Sequence, residues 1–156
     1  MRPTSDGLRE TLFNVLGARV DGARVLDAFA GTGAVGLEAI SRGAAQVTFV
    51  ESDRRTAALL AENVDRCGVG DACMIVRDEF ARARVGRFDL VWLDPPYDAP
   101  DLEGVLARAA ALVERGGLVV LEHSRRRETA ERIGTLARTR TLVAGDSALS
   151  FYTPDE

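Results

Sequence analysis

The sharpest chemical signal in this chain is four residues long: Asp94-Pro95-Pro96-Tyr97, directly after the apolar run "DLVWL". Two consecutive prolines fix the backbone and remove two N–H donors. Such a segment offers a cleft an acceptor surface, made of the Asp94 carboxylate and the Pro95 carbonyl, with the Tyr97 ring beside it. That surface suits a planar exocyclic amine, whose hydrogens need acceptors and whose lone pair is conjugated into its ring. Holding both N–H bonds rotates or pyramidalises the nitrogen and aims its lone pair at an electrophilic methyl. Asp94 could then take the released proton. Tyr97 can stack on an extruded base, a contact worth roughly 1–3 kcal/mol. The competing reading is a rigid turn after a strand, since D-P-P-Y is also good loop chemistry.

A second constellation lies upstream in "VLDAFAGTGAVGLEA", Val25 to Ala39. Gly31, Gly33 and Gly36 match G-x-G-x-x-G, the turn that sets a pyrophosphate on a helix N-terminus. Asp27, four residues before Gly31, would repel that phosphate. It would favour an ammonium or sulfonium group, and S-adenosylmethionine carries both and has no phosphate. The alternative for Asp27 is a structural carboxylate bonded to backbone N–H groups. Glu51 follows Gly31 by 20 residues, where a carboxylate can bond both ribose hydroxyls. Asp53 reads as a helix cap. Asp78 comes after a third apolar segment, where it could accept from an adenine amine or cap a helix at "RDEF". A lone glycine pattern is weak, whereas Asp27, Gly31, Gly33 and Glu51 at successive strand ends form a stronger set.

Positioning these residues takes an alternating α/β chain. The 156 residues suffice for one domain spanning 1–156, and the apolar fraction of 46% is ordinary for a globular protein. A helix is expected from about Asp6 to Leu16, capped by Thr4, Ser5 or Asp6, with Leu8, Leu12, Val15 and Leu16 on one face. Five strands follow: "RVLDAF", "AQVTFVES", "ACMIVRD", "RFDLVWLD" and "GLVVLEHS". Helices over "VGLEAISRG", "RRTAALLAENVDRCG" and "LEGVLARAAALVERGG" fall between them, and a short helix is expected around "RRRETAERIG". "TRTLVAGDSALSFYT" reads as a hairpin about "AGDS", and so short a turn requires antiparallel strands. The expectation is a Rossmann-like α/β fold of about seven strands, mostly parallel, with an antiparallel C-terminal hairpin and helices on both faces.

The motifs together resemble a known family. "RPTSDGLRETLFNVL", "VLDAFAGTGAVGLEAISRGA", "FVESD", "LDPPY" and "GDSALSFY" are similar to the bacterial 16S rRNA guanine-N2 methyltransferases, the RsmD family, along essentially the whole chain. "DPPY" alone is shared with DNA adenine-N6 methyltransferases, and close variants occur in protein glutamine methyltransferases. The opening segment is the more specific part. The resemblance implies a class I methyltransferase fold, S-adenosylmethionine as cofactor, and methylation of one guanine amine, conventionally guanine-966, in the 16S rRNA of the small ribosomal subunit. It implies that Asp27, Ala30, Gly31 and Gly33 surround the methionine part of the cofactor, Glu51 the ribose and Asp78 the adenine. Asp94, Pro95 and Tyr97 would handle the base, with Arg2, Thr4, Arg9 and Asn14 packing over the site. The family pattern also carries a basic arm ahead of "RPTSD", which this sequence does not include. RNA binding is expected to suffer from that, since such an arm supplies phosphate contacts, while cofactor binding should survive. The alternatives are a DNA adenine-N6 methyltransferase, a protein glutamine methyltransferase, and a nucleotide-binding Rossmann module without transfer activity.

Other residues carry weaker signals. His123, the only histidine, follows the fifth strand; amine methylation needs no strong base, so a structural role is expected. The run Arg125-Arg126-Arg127 is either an RNA footprint or a solvated helix start. Trp92 reads as core. Cys67 and Cys73 have no metal-ligand spacing and read as reduced thiols. The net charge of −4 argues against a general nucleic-acid coat protein, yet every basic residue is arginine, which suits phosphate and base stacking. Nothing resembles a membrane span or a signal peptide, so a cytoplasmic location is expected, and a monomer, because rRNA must reach an open cleft.

Overall fold

The computed structural model describes residues 5–155. The first helix, α1, runs Asp6–Leu16 and is capped by the Ser5 hydroxyl, which accepts from the Leu8 N–H at 3.1 Å. Its buried face holds Leu8, Leu12, Phe13 and Leu16, while Val15 is only half-buried. The chain then alternates: β1 (Arg24–Asp27), α2 (Ala34–Ser41), β2 (Gln46–Val50), α3 (Arg54–Cys67), β3 (Cys73–Val76), β4 (Phe88–Leu93), α4 (Leu102–Leu112) and β5 (Val113–Ser124). It closes with β6 (Arg132–Ile133), β7 (Leu136–Ala144) and β8 (Ser147–Pro154).

These strands form one sheet in the order β3-β2-β1-β4-β5-β8-β7-β6. β1 to β5 pair in parallel, and β8 inserts antiparallel between β5 and β7. The chain moves outward from β1 to β3 and then returns to place β4 beside β1. That reversal opens a crevice at the carboxyl ends of these two strands. Alternation along β4 shows how the layers share the sheet. Leu90 and Trp92 pack with α1, α2 and α3 on one face, and Val91 and Leu93 pack with α4 on the other. Trp92 is thus a core residue, 4% exposed.

Two expectations are corrected. No helix forms around residues 125–134; the segment is a turn followed by the two-residue strand β6, which brings the sheet to eight strands. The carbonyls a helix would use internally are engaged elsewhere: Ala130 accepts from the Tyr152 hydroxyl at 2.7 Å and Thr129 from the Arg138 guanidinium at 2.9 Å. Tertiary partners here outweigh local helix propensity. The helix read through "VERGG" also stops early, because Val113 already pairs with Phe88 and opens β5. A register shift between Phe88 and Leu90 follows, where a side chain at Gly117 would meet the Asp89 carbonyl at 2.8 Å. None of the described helices is long and apolar enough to cross a membrane.

Candidate functional site

The turn after β1 is built around carboxylates. Asp27 ends β1 and is 1% exposed; its Oδ2 accepts from the Gly36 N–H of α2 at 3.1 Å. Its Oδ1 has no partner among the described residues. Burial pushes the Asp27 carboxyl up to about 8, and the nearby charges of Asp94 and Glu51 act in the same direction, against the Gly36 bond. Glu51, buried just beyond β2, accepts from the Gly31 N–H at 2.8 Å and the Asp53 N–H at 2.9 Å. The neighbouring Ala30 N–H donates to the Val50 carbonyl at 2.9 Å. Gly33 has φ of +92°, and a Cβ there would fall 2.4 Å from Leu60 Cδ1. Its lack of a side chain therefore serves both the turn and the packing of α3. Asp53 caps α3 through Thr56, whose hydroxyl and N–H hold the Asp53 carboxyl below its ordinary value.

Beside this turn lies a cleft of about 560 Å³. Three of the expected site residues, Glu51, Asp78 and Asp94, line it, each from the end of a different strand. No helix starts at "RDEF"; Asp78 Oδ1 accepts from the Glu79 N–H at 2.8 Å. Asp27, Ala30, Gly31 and Gly33 are outside the cleft lining, and Gly31 connects to it through Glu51.

The apolar wall was not foreseen from sequence. Phe29 and Phe80 meet edge to face, with centroids 5.3 Å apart, and both line the cleft. Arg108 of α4 lies 5.7 Å from the Phe80 ring centre. It donates to the carbonyls of Phe80, at 2.8 Å, and Ala83, which fixes the loop. The only local signal was an aromatic two residues after Asp78.

The prolyl segment divides between two cavities. Asp94 and Pro96 face the main cleft, and Pro95 is buried. Tyr97, 44% exposed, turns outward, and its hydroxyl donates to the Asp146 carbonyl at 3.1 Å. It lines a separate pocket of about 260 Å³ with Ser124, Arg125, Arg126 and Asp146.

The remaining expected residues are scattered. Arg2 and Thr4 lie outside the described residues. Arg9 pairs with Asp6 at 3.0 Å and reaches Glu38 of α2 at 3.9 Å, so it ties the first two helices together. Asn14 is exposed. Arg127 belongs to a third pocket, with His123. His123 is 8% exposed, donates from Nδ1 to the Ser124 carbonyl and accepts at Nε2 from the Ser150 hydroxyl, both at 2.8 Å. Burial holds its imidazole below the ordinary value, and both contacts stay within the sheet end.

A parallel sheet reversing at β1/β4, continued by an antiparallel β8–β7 pair, with acids at successive strand ends, is the architecture of the class I methyltransferases. The structure of Escherichia coli yhhF, a candidate methyltransferase, superposes with a TM-score of 0.87 at 31% identity, over 99% of this chain and 88% of that one. YlbH of Bacillus subtilis, a candidate rRNA methyltransferase, is 33% identical over 97% of this chain and 86% of its own length. Ribosomal RNA small subunit methyltransferase D of Escherichia coli K12 is 38% identical over 75% of this chain, and the match spans 58% of that protein's length. A family model described as conserved hypothetical protein 95 matches residues 1–153. The chain belongs to that family, the RsmD family.

Proposed function

We propose that this protein transfers a methyl group from S-adenosylmethionine to the exocyclic N2 amine of a guanine in 16S rRNA, a reaction of the guanine-966 type, within the small ribosomal subunit. The observation that carries this reading is that acids already occupy the glycine turn. The N–H groups of Gly31 and Gly36 donate to Glu51 and Asp27. A pyrophosphate would meet carboxylates where it needs donors. A cationic ligand meets a buried carboxylate whose Oδ1 has no partner among the described residues, so these residues fit the cofactor.

In this reading Asp27, Ala30, Gly31 and Gly33 serve its methionine end. Glu51 takes the ribose hydroxyls, since each of its oxygens accepts one N–H and retains a lone pair. Asp78 takes the adenine amine, beside the apolar wall that Phe29 and Phe80 form. The cofactor supplies an electrophilic methyl on a sulfonium sulfur and leaves as S-adenosylhomocysteine. Asp94 and the Pro95 carbonyl accept the two N–H bonds of the target amine and turn its lone pair out of conjugation. Asp94 then receives the proton the nitrogen sheds on alkylation. Tyr97 offers its ring to the extruded base, and Arg125–Arg127, with the opening segment, contact rRNA. The chain works as a monomer in the cytoplasm, where small subunits assemble.

The test is transfer of labelled methyl to small-subunit particles from cells lacking the modification, followed by nucleoside analysis. N2-methylguanosine is the expected product. Recovery of N6-methyladenosine alone would overturn the proposal, as would calorimetry showing binding of NAD but not of S-adenosylmethionine.

A further inference from the structure

The pocket beside Tyr97 combines charges of both signs on rigid backbone. Asp146 sits in the tight turn between β7 and β8, after Gly145, whose φ of +59° is what a type II′ turn requires at its first central position. The Asp146 carbonyl accepts from both the Tyr97 hydroxyl at 3.1 Å and the Arg125 N–H at 2.9 Å. The turn is thereby tied to the prolyl segment and to the end of β5. Among the described residues the Asp146 carboxylate makes no hydrogen bond or ion pair, and neither does the Arg126 guanidinium. The Arg125 guanidinium donates to the Gly145 carbonyl at 3.3 Å.

An acceptor and a donor that face one pocket without bonding each other are separately available to a ligand. A phosphate would use the arginine but be repelled by the acid. A purine that offers both an N–H and a carbonyl uses both. Guanine presents N1–H as donor and O6 and N7 as acceptors, the pattern an arginine reads bidentately. Adenine lacks that N–H and carries an amine in place of the carbonyl.

Resting on the proposed function, we infer that this pocket identifies the target base as guanine. Asp146 accepts N1–H, Arg126 donates to O6 and N7, and the Tyr97 ring supports the base next to the strand end that carries Asp94. The substitution Asp146→Ala leaves the backbone carbonyl, and so the Tyr97 and Arg125 bonds, in place.

The experiment compares two substrates. Small subunits are reconstituted with 16S rRNA carrying either guanine or 2,6-diaminopurine at the target; the second keeps the N2 amine but lacks N1–H and O6. The full chain should prefer guanine. Both Asp146→Ala and Arg126→Ala should lower kcat/KM on guanine by about 10- to 100-fold and leave cofactor binding intact; on diaminopurine Asp146→Ala should lose nothing, and Arg126→Ala should lose less than on guanine, because only the N7 contact is shared. Equal losses on the two substrates, or none, would overturn the inference; equal losses with a shallower salt dependence would assign Arg126 to a phosphate instead. Transfer to neither base by the unaltered chain would remove the proposed function, and this inference with it.

Discussion

Replacing Asp27 with asparagine should remove from the unliganded protein a component of stability that falls steadily as pH rises. Burial pushes the Asp27 carboxyl from 3.8 up to about 8. Between those values the folded chain holds a proton that the unfolded chain has released. Stability therefore falls as pH rises, by at most about 1.4 kcal/mol per pH unit, and levels off above the folded value. Over pH 5 to 7 the loss approaches roughly 3 kcal/mol. An asparagine keeps an oxygen for the Gly36 N–H and does not titrate. Urea melts of both proteins at pH 5, 6 and 7 isolate the effect, because every other titrating group is shared. The stability advantage of Asp27→Asn should widen with each step. Parallel pH curves for the two chains would refute the argument. A cationic ligand beside the ionised carboxylate reverses the balance. S-adenosylmethionine should bind the natural chain more tightly as pH rises from 6 toward 7.5, with proton release visible as a buffer-dependent heat, and Asp27→Asn should show neither.

Two substitutions probe the scaffold that holds the site. Gly36→Ala would put a Cβ 2.3 Å from Phe49 Cε1 and 2.9 Å from Val47 Cγ1; overpacking of about 1–3 kcal/mol should appear as a lower urea midpoint with an unchanged slope. Tyr152→Phe removes the donor to the Ala130 carbonyl. It should cost about 1–3 kcal/mol and raise hydrogen exchange across residues 125–131 ahead of the parallel strands.

What could be read from the sequence was what local chemistry decides. The bounds of α1 emerged correctly because a serine cap and an apolar face mark them within a dozen residues. The final hairpin was visible in "AGDS", and the acids at the ends of β2, β3 and β4 were located because each follows an apolar run within two residues. Failures came where distant partners decide. Residues 125–134 look helical by composition but give their carbonyls to Tyr152 and Arg138, on strands that come later in the chain. Phe29, Phe80 and Arg108 meet only because α4 packs over the loop after β3. Tyr97 and Asp146 are 49 positions apart, and no spacing rule joins them.

The order in which β8 is synthesised and the place it occupies do not agree. It emerges after β7, yet it lies between β5 and β7 and is buried from Ser147 to Tyr152. A nascent chain that has completed β5 thus carries a bare row of backbone donors and acceptors along one flank of a half-finished sheet. Such a flank is a template for pairing with other polypeptides. The interval before β8 arrives is when that flank stands open to such pairing.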